Sequence, residues 1–246
     1  MPAFDPTLLQ RLPWLRPRRH CQLCDETTDH PTHAVCTACE AELPWLGAHC
    51  QICAVPLPAH GMICGACQNK PPSFSRVEAP WRYAFPVDNL ITRFKHQAQW
   101  PYGRLLAELL AEHLHHAFDE GLPRPQALLP VPLARKRQRR RGFNQAQMLA
   151  DWLSTRLDLP VERDWLERRV DTPAQQGLDA ATRKRNLRQA FSLELQAKVA
   201  GAHLALVDDV LTTGATAGVL AHLLRRAGAL RVDVYCLART PRPGDA

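Results

Sequence analysis

No stretch of the 246 residues approaches the roughly 20 consecutive apolar positions that a membrane-spanning helix needs. The first twenty residues hold Asp5, Pro6, Pro13, Pro17 and four arginines, and they lack an apolar core of signal-peptide length. The expectation is therefore a soluble cytoplasmic protein with no membrane span. Cysteine is almost missing outside one stretch: eight of nine lie between positions 21 and 67, and the ninth is Cys236. In a secreted chain an even set would suggest disulfides. Without an export signal, metal ligation is the better reading. The composition, 46% hydrophobic and 22% charged, is that of a globular protein. The length allows one good core plus a smaller module. Lys70-Pro71-Pro72-Ser73-Phe74 reads as the boundary, giving an N-terminal region 1–72 and a larger domain 73–246.

Three portions of the chain also lack a charge excess. The net charge is +7, yet residues 124–188 alone hold fifteen Lys/Arg against seven Asp/Glu. A basic excess confined to one segment points to an anionic partner, either nucleic acid or a polyphosphate. Its few aromatics (Phe143, Trp152, Trp165) leave little for base stacking, so weak sequence preference is expected.

The eight clustered cysteines fall into four C-x-x-C pairs: Cys21/Cys24, Cys36/Cys39, Cys50/Cys53 and Cys64/Cys67. Such a pair sets two thiolates on one tight turn, and two pairs complete a tetrahedral all-thiolate zinc site. Four pairs make two structural Zn2+ sites. Sequential pairing is the simplest arrangement; a cross-braced one stays open. The spacings resemble tandem zinc ribbons. A four-cysteine site is closed, so no catalysis is assigned to it, and in small domains its binding energy is also folding energy. The stretch is close to charge-neutral, which favours a scaffold or partner dock over a DNA reader. Histidines 20, 30, 33, 49 and 60 are read as bystanders.

Leu204 to Val207 is a short apolar run that leads into two carboxylates, Asp208 and Asp209, and then into Val210-Leu211-Thr212-Thr213-Gly214-Ala215-Thr216. The pattern reads as a buried strand at 204–207, then a small hydroxyl-rich loop, then a helix over 214–227. Free N–H groups at a helix N-terminus bind phosphate, while ionised carboxylates accept hydrogen bonds from sugar hydroxyls. That combination suits a sugar phosphate, with the sugar at the acidic pair and the phosphate over the loop. The stretch resembles the 5-phosphoribosyl-1-pyrophosphate (PRPP) motif of type I phosphoribosyltransferases.

The remaining elements are ordinary by pattern. Residues 1–20 suggest a short helix or arm. Val77 to Phe85 suggests one or two edge strands, followed by helices over 88–97 and 102–118, with Lys95 beside an apolar face. Gln126 to Leu133 reads as a second buried strand. A basic block, Ala134-Arg135-Lys136-Arg137-Gln138-Arg139-Arg140-Arg141, then leads to a helix burying Phe143, Ala146, Leu149, Ala150, Leu153 and Leu157. In a doubly wound sheet, ligands lie outside the carboxyl ends of strands, so the Val131–Arg135 turn and the Asp208–Thr216 loop should share a face. Arg168 to Arg188 loses periodicity and has the look of a mobile lid. Leu230 to Ala238 is the final strand, with Gly228 closing the preceding helix.

Four landmarks then coincide: the cysteine pairs, Val131-Pro132-Leu133 ahead of Arg141-Gly142-Phe143-Asn144-Gln145, Thr172-Pro173-Ala174-Gln175 with Arg185-Asn186-Leu187, and the acidic pair with its Thr/Gly loop. Together they resemble the ComF (competence protein F) family, also called the GntX-like group. The resemblance implies an α/β fold, a type I phosphoribosyltransferase-like parallel sheet flanked by helices, with a small N-terminal double zinc ribbon. It further implies handling of single-stranded DNA in uptake and natural transformation, in contact with DNA-uptake machinery proteins. Carried over by motif, Asp208 and Asp209 would be the catalytic pair at the ribose hydroxyls, and Val210, Leu211, Thr212, Thr213, Gly214, Ala215 and Thr216 would cradle the 5′-phosphate. Val131, Pro132, Leu133, Ala134 and Arg135 would take the pyrophosphate of Mg2+-bound PRPP. Arg137, Arg139, Arg140, Arg141, Arg168, Arg169, Arg183 and Arg185 are the candidates for nucleic-acid or nucleotide phosphate. Three readings follow: a phosphoribosyltransferase of unknown acceptor, a non-catalytic nucleic-acid-binding protein on the same fold, and a scaffold docking through its zinc head.

Overall fold

The computed structural model describes residues 19–30, 32–169 and 189–241. The chain divides into two compact units at the Leu43–Pro44 junction. In chain order the elements are α1 (Thr37–Ala41), α2 (Gly65–Asn69), β1 (Arg76–Glu78), β2 (Trp81–Arg82), α3 (Val87–Gln97), α4 (Trp100–Asp119), β3 (Ala127–Pro130), α5 (Arg135–Arg141), α6 (Gln145–Leu157), β4 (Leu166–Arg168), β5 (Phe191–Leu193), β6 (His203–Leu211), α7 (Ala215–Arg226) and β7 (Arg231–Arg239).

The first unit is built around one cysteine set. Asp25 N–H donates to the Cys21 carbonyl at 2.9 Å and Cys21 N–H donates to the Glu26 carbonyl at 2.7 Å, closing a tight knuckle. The second pair of cysteines opens α1, with Cys36 at its N-cap. The start of the second unit repeats this construction. Ala54 N–H donates to Cys50 at 2.9 Å, Cys50 N–H donates to Val55 at 2.8 Å, and Cys64 caps α2.

The remainder of the second unit is a parallel sheet. Its strand order is β1-β7-β6-β3, with β2 pairing β7 beyond the end of β1. β7 is buried from Val232 to Arg239 and β6 from Leu204 to Val207. Near-continuous apolar strands of this kind require cover on both faces. α4 and α6 pack on each other and against β7, β6 and β3, while α7 packs against β6, β7 and β5. Leu90, Ile91 and Phe94 of α3 are buried, as the helical spacing predicts. α4 approaches α3 closely: a Cβ on Gly103 would lie 2.6 Å from the Phe94 ring. The chain leaves α7 through Gly228, with Gly228 N–H on Arg225 and Ala229 N–H on Leu224 satisfying the last carbonyls.

Three local expectations are corrected. The strand through 204–207 continues to Leu211, because its ladder with β7 runs on to Leu211↔Arg239; the aspartates thus sit within the strand's last turn of pleat rather than beyond it. The basic block, which the sequence pattern assigns to no element beyond the Val131–Arg135 turn, is a helix, α5. Arg, Lys and Gln are good helix formers, Gly142 at φ +83 ends it, and its last-turn arginines suit the negative end of the dipole. Phe143 lies outside the following helix, which starts at Gln145 after the Asn144 side chain accepts from Ala146 N–H. Residues 1–18 and 170–188 are outside the described residues, and with them the N-terminal arm, Arg183, Arg185 and the Thr172–Gln175 and Arg185–Leu187 landmarks. β4 and β5, the antiparallel ribbon on either side of 170–188, are described.

Candidate functional site

The cysteines resolve into two sequential sets, Cys21/24/36/39 and Cys50/53/64/67, with the four Sγ atoms of each within 4.8 Å of one another. A tetrahedral zinc with Zn–S of about 2.3 Å requires S···S separations of about 3.8 Å. Cys24 and Cys36 lie 3.8 Å apart and Cys53 and Cys64 3.6 Å apart. The donor sets therefore fit Zn2+, each with all four positions taken by sulfur. No histidine belongs to either set.

At the carboxyl end of β6, Asp208 Oδ1 accepts from Asp209 N–H and Asp209 Oδ1 accepts from Val210 N–H, both at 2.9 Å. Successive strand residues point to opposite faces. Asp209 is buried and meets Lys95 of α3, whose Nζ lies 2.5 Å from Oδ2. Asp208 is half-buried. Burial, reinforced by the Asp209 charge, pushes its carboxyl up to about 8, against the opposing pull of the Asp209 N–H and Lys95. Two adjacent carboxylates in this setting favour one shared proton or a cation. Beyond them the chain turns through Thr212 and Thr213 to Gly214, whose φ of +72 suits glycine, and enters α7. The Thr213 hydroxyl accepts from Ala215 N–H at 3.3 Å.

β3 runs parallel beside β6, with Pro130 opposite Val207 and Val131 N–H on the Val207 carbonyl at 2.9 Å. The segment after β3 thus lies next to the acidic pair, as expected for a shared carboxyl-end face. Asn144 Nδ2 donates to the Val131 carbonyl at 3.2 Å and ties the Arg141–Gln145 element to this turn. Arg141 bonds the buried Gln145. Its charge and those of Arg140 and Lys95 reach His96: burial first, then these cations, hold His96 below its ordinary range, with Asp209 opposing. Lys95 and Asp209 are thus in contact at this end of the sheet, with Arg140 and Arg141 near enough for their charges to act on the neighbouring His96. Arg135 is turned elsewhere, to Glu167 of β4 at 2.5 Å, and Arg169 also pairs with Glu167 at 3.6 Å. The Arg168 guanidinium stacks over Phe191 at 5.3 Å. Arg137 and Arg139 are exposed on α5.

Sequence reasoning placed Lys95 beside an apolar face, for a phosphate contact or a solvated edge, without its Asp209 partner, and did not single out Arg239. The latter closes β7 at 4% exposure. Its Nε donates to the Cys53 carbonyl at 2.8 Å, and its Nη1 to the Leu211 and Thr212 carbonyls at 3.0 and 2.5 Å and to Thr240. One buried guanidinium thus joins the second cysteine set to the Thr/Gly loop. A cavity of about 520 Å³ lies beside that link, between Cys67, Lys70 and Phe74 on one side and Thr212, Thr213 and Gly214 on the other. An arginine directly after the apolar run Val234 to Ala238 was the one available signal.

Residues 12–68 match the model of the double zinc ribbon domain. The chain is 37% identical over 221 residues to the DNA utilization protein YhgH of Escherichia coli, covering 89% of this chain and 96% of the relative. It is 35% identical, over the same shares, to competence protein F of Haemophilus influenzae. The chain belongs to the competence protein F (ComF) family. A more distant ComF relative is competence protein ComFC of Bacillus subtilis, 25% identical over 89% of this chain and 95% of that one. Among solved structures, a purine phosphoribosyltransferase from Pyrococcus horikoshii aligns with 55% of this chain and 70% of its own, at 17% identity and TM-score 0.34. A hypoxanthine phosphoribosyltransferase from Staphylococcus aureus aligns at 12% identity and TM-score 0.38, over 58% and 66% of the two chains. Likeness of that size decides nothing about activity. No helix among the described residues is long and apolar enough to cross a membrane.

Proposed function

We propose that this ComF protein acts in DNA uptake through a phosphoribosyl-type pocket joined to a basic, single-strand-binding surface. The observation that carries the reading is the acidic pair Asp208-Asp209 set directly before a Thr212–Thr216 loop that opens α7, with Lys95 on Asp209 and the Arg140 and Arg141 charges acting on the neighbouring His96. The aspartates accept ribose hydroxyls, the loop N–H groups and threonine hydroxyls take the 5′-phosphate, and the Val131–Ala134 segment faces the pyrophosphate. Bound Mg2+ would supply charge neutralisation at the pyrophosphate. Any hydroxyl that reaches Asp209 shares it with Lys95, so ligand binding must reorganise that ion pair. Names of the relatives, DNA utilization and competence, support the biological setting, and the exposed arginines of α5 support contact with a phosphate backbone.

Thermal unfolding of the zinc-loaded protein with Mg-PRPP tests the pocket. Binding to the native state alone adds about 2.7 kcal/mol at a hundredfold excess over Kd. The shift should vanish in the Asp208→Asn/Asp209→Asn variant, and an equal shift in that variant would remove the assignment. For the surface, about five phosphate contacts predict a log K against log salt slope near −3.5 on single strands. A flat response would leave the pocket without its nucleic-acid role.

A further inference from the structure

We infer that Trp100, buttressed by Phe143, is a stacking site for an unpaired nucleobase beside the basic segment. This rests on the single-strand reading above and names the contact that distinguishes a single strand from a duplex. Trp100 begins α4 and is 52% exposed, unusual for the largest side chain in a soluble domain. Its ring stands edge-on to Phe143 at 6.5 Å, and Phe143 leans on the buried Phe94 at 5.8 Å. The pair is held in place from below. Gly103 lets the first turn of α4 sit on the Phe94 ring, and Arg93 donates to the Tyr102 hydroxyl at 3.3 Å while lying over its ring.

Charge specifies the occupant. Phe143 follows Arg141 by two residues, and the Arg140 and Arg141 charges act on His96, four positions before Trp100. An exposed indole packed on Phe143 of the arginine-rich segment suits a ligand with a π face and an anionic linker. In the interior of a duplex both faces of each base are already stacked, so along a strand only an unpaired base can cover Trp100. Base–aromatic stacking of this kind tolerates any base, which agrees with weak sequence preference. The sequence reading found aromatics scarce in the basic segment; α4 brings Trp100 to it from outside that segment.

The test uses the full-length zinc-loaded protein and a short oligothymidylate, with a matched strand that carries abasic sites. Trp100→Ala should weaken binding of the oligothymidylate about tenfold, with Trp100→Phe retaining most of the affinity. The salt slope should not change, because no phosphate contact is lost. The abasic strand should bind wild type and Trp100→Ala alike. A 2-aminopurine placed in the strand should be quenched by wild type and less so by Trp100→Ala. Equal oligothymidylate affinity in wild type and Trp100→Ala overturns the stacking site, leaving Trp100 for a protein contact, while a steep salt slope in the same data would keep the basic surface. Absence of any single-strand binding by wild type overturns both. Melting of Trp100→Ala within a few degrees of wild type keeps the comparison one of binding.

Discussion

The two cysteine sets are the same device in two settings. Each begins with a knuckle closed by the same pair of backbone hydrogen bonds, with a non-glycine residue, Asp25 or Ala54, in the left-handed region just after the second cysteine. Each ends with a cysteine capping a five-residue helix. The surroundings differ. In the first set Cys24 is exposed and Cys36 and Cys39 are half-buried, and the set belongs to its own compact unit. In the second all four are buried, and Cys50, Cys53, Cys64 and Cys67 share one core with Leu129, Leu206 and Val234 of the sheet. One metal site is a module; the other is a wall of the domain that carries the acidic pair. Ligand pattern sets what binds, while burial sets what depends on it.

The largest expected effect comes from removing one metal at a time. Structural zinc contributes on the order of 10–16 kcal/mol in small domains, as much as a whole domain's net stability. Cys53→Ser/Cys64→Ser should abolish the cooperative melt of residues 44–241, seen as loss of near-ultraviolet dichroism. Cys24→Ser/Cys36→Ser should leave that melt in place and retain one zinc per chain by elemental analysis. Equal collapse in both variants would erase the distinction. Next in size is Arg239→Met, which strips the donor from the carbonyls of Cys53, Leu211 and Thr212. Hydrogen bonds from a charged group contribute about 1.5–3 kcal/mol each and add poorly, so a loss of about 3 kcal/mol is expected. In a domain of this size that lowers Tm by about 10 °C. The PRPP-induced shift should shrink with it. A variant that melts like wild type would cut the second metal site from the loop.

How much of this was legible beforehand follows from what each residue's neighbours are. The four C-x-x-C knuckles, the β6–loop–α7 unit and the shared face of the β3 and β6 ends were all readable, since each depends on local spacing or on the rule that parallel strands present their carboxyl ends together; which knuckles pair was not, because sequential and cross-braced sets have the same local spacing. Lys95 and Arg239 were not, because their partners, Asp209 and the Cys53 carbonyl, lie 114 and 186 positions away. The α5 helix was missed for a different reason. Seven residues without an apolar face give no periodic signal, and only propensity and the Gly142 stop argue for it.

The pH dependence sharpens the contrast further and should be smaller. Asp208 has its carboxyl raised to about 8 in the folded chain from an ordinary value of 3.8. Below the ordinary value both states are protonated and the fold carries no penalty. Between the two values the unfolded chain releases its proton and the folded one keeps it, so stability falls as pH rises towards 8. Melts of zinc-loaded wild type from pH 6 to 8.5 should decline, and Asp208→Asn should flatten the decline for the unit holding residues 44–241. Because ionised Asp208 is the form that accepts ribose hydroxyls, PRPP affinity should rise over the same window. Parallel declines in wild type and Asp208→Asn would remove Asp208 as the cause.

The smallest effect is one of rate. A chelator or thiol reagent must reach sulfur before zinc leaves, and thiolate access differs between the two sets even though their donor chemistry is identical. Cys24 meets solvent directly, whereas all four cysteines of the second set are buried in the domain core. Release into a zinc-sensitive dye should be biphasic, one equivalent fast while the domain is still folded and one slow. In Cys24→Ser/Cys36→Ser only the slow phase should remain. Since the slow step requires the domain to open, its rate should follow domain stability, and Arg239→Met should accelerate it while leaving the fast phase alone. A single phase carrying both equivalents would mean that burial does not separate the two sites, and the division between module and wall would have to be given up.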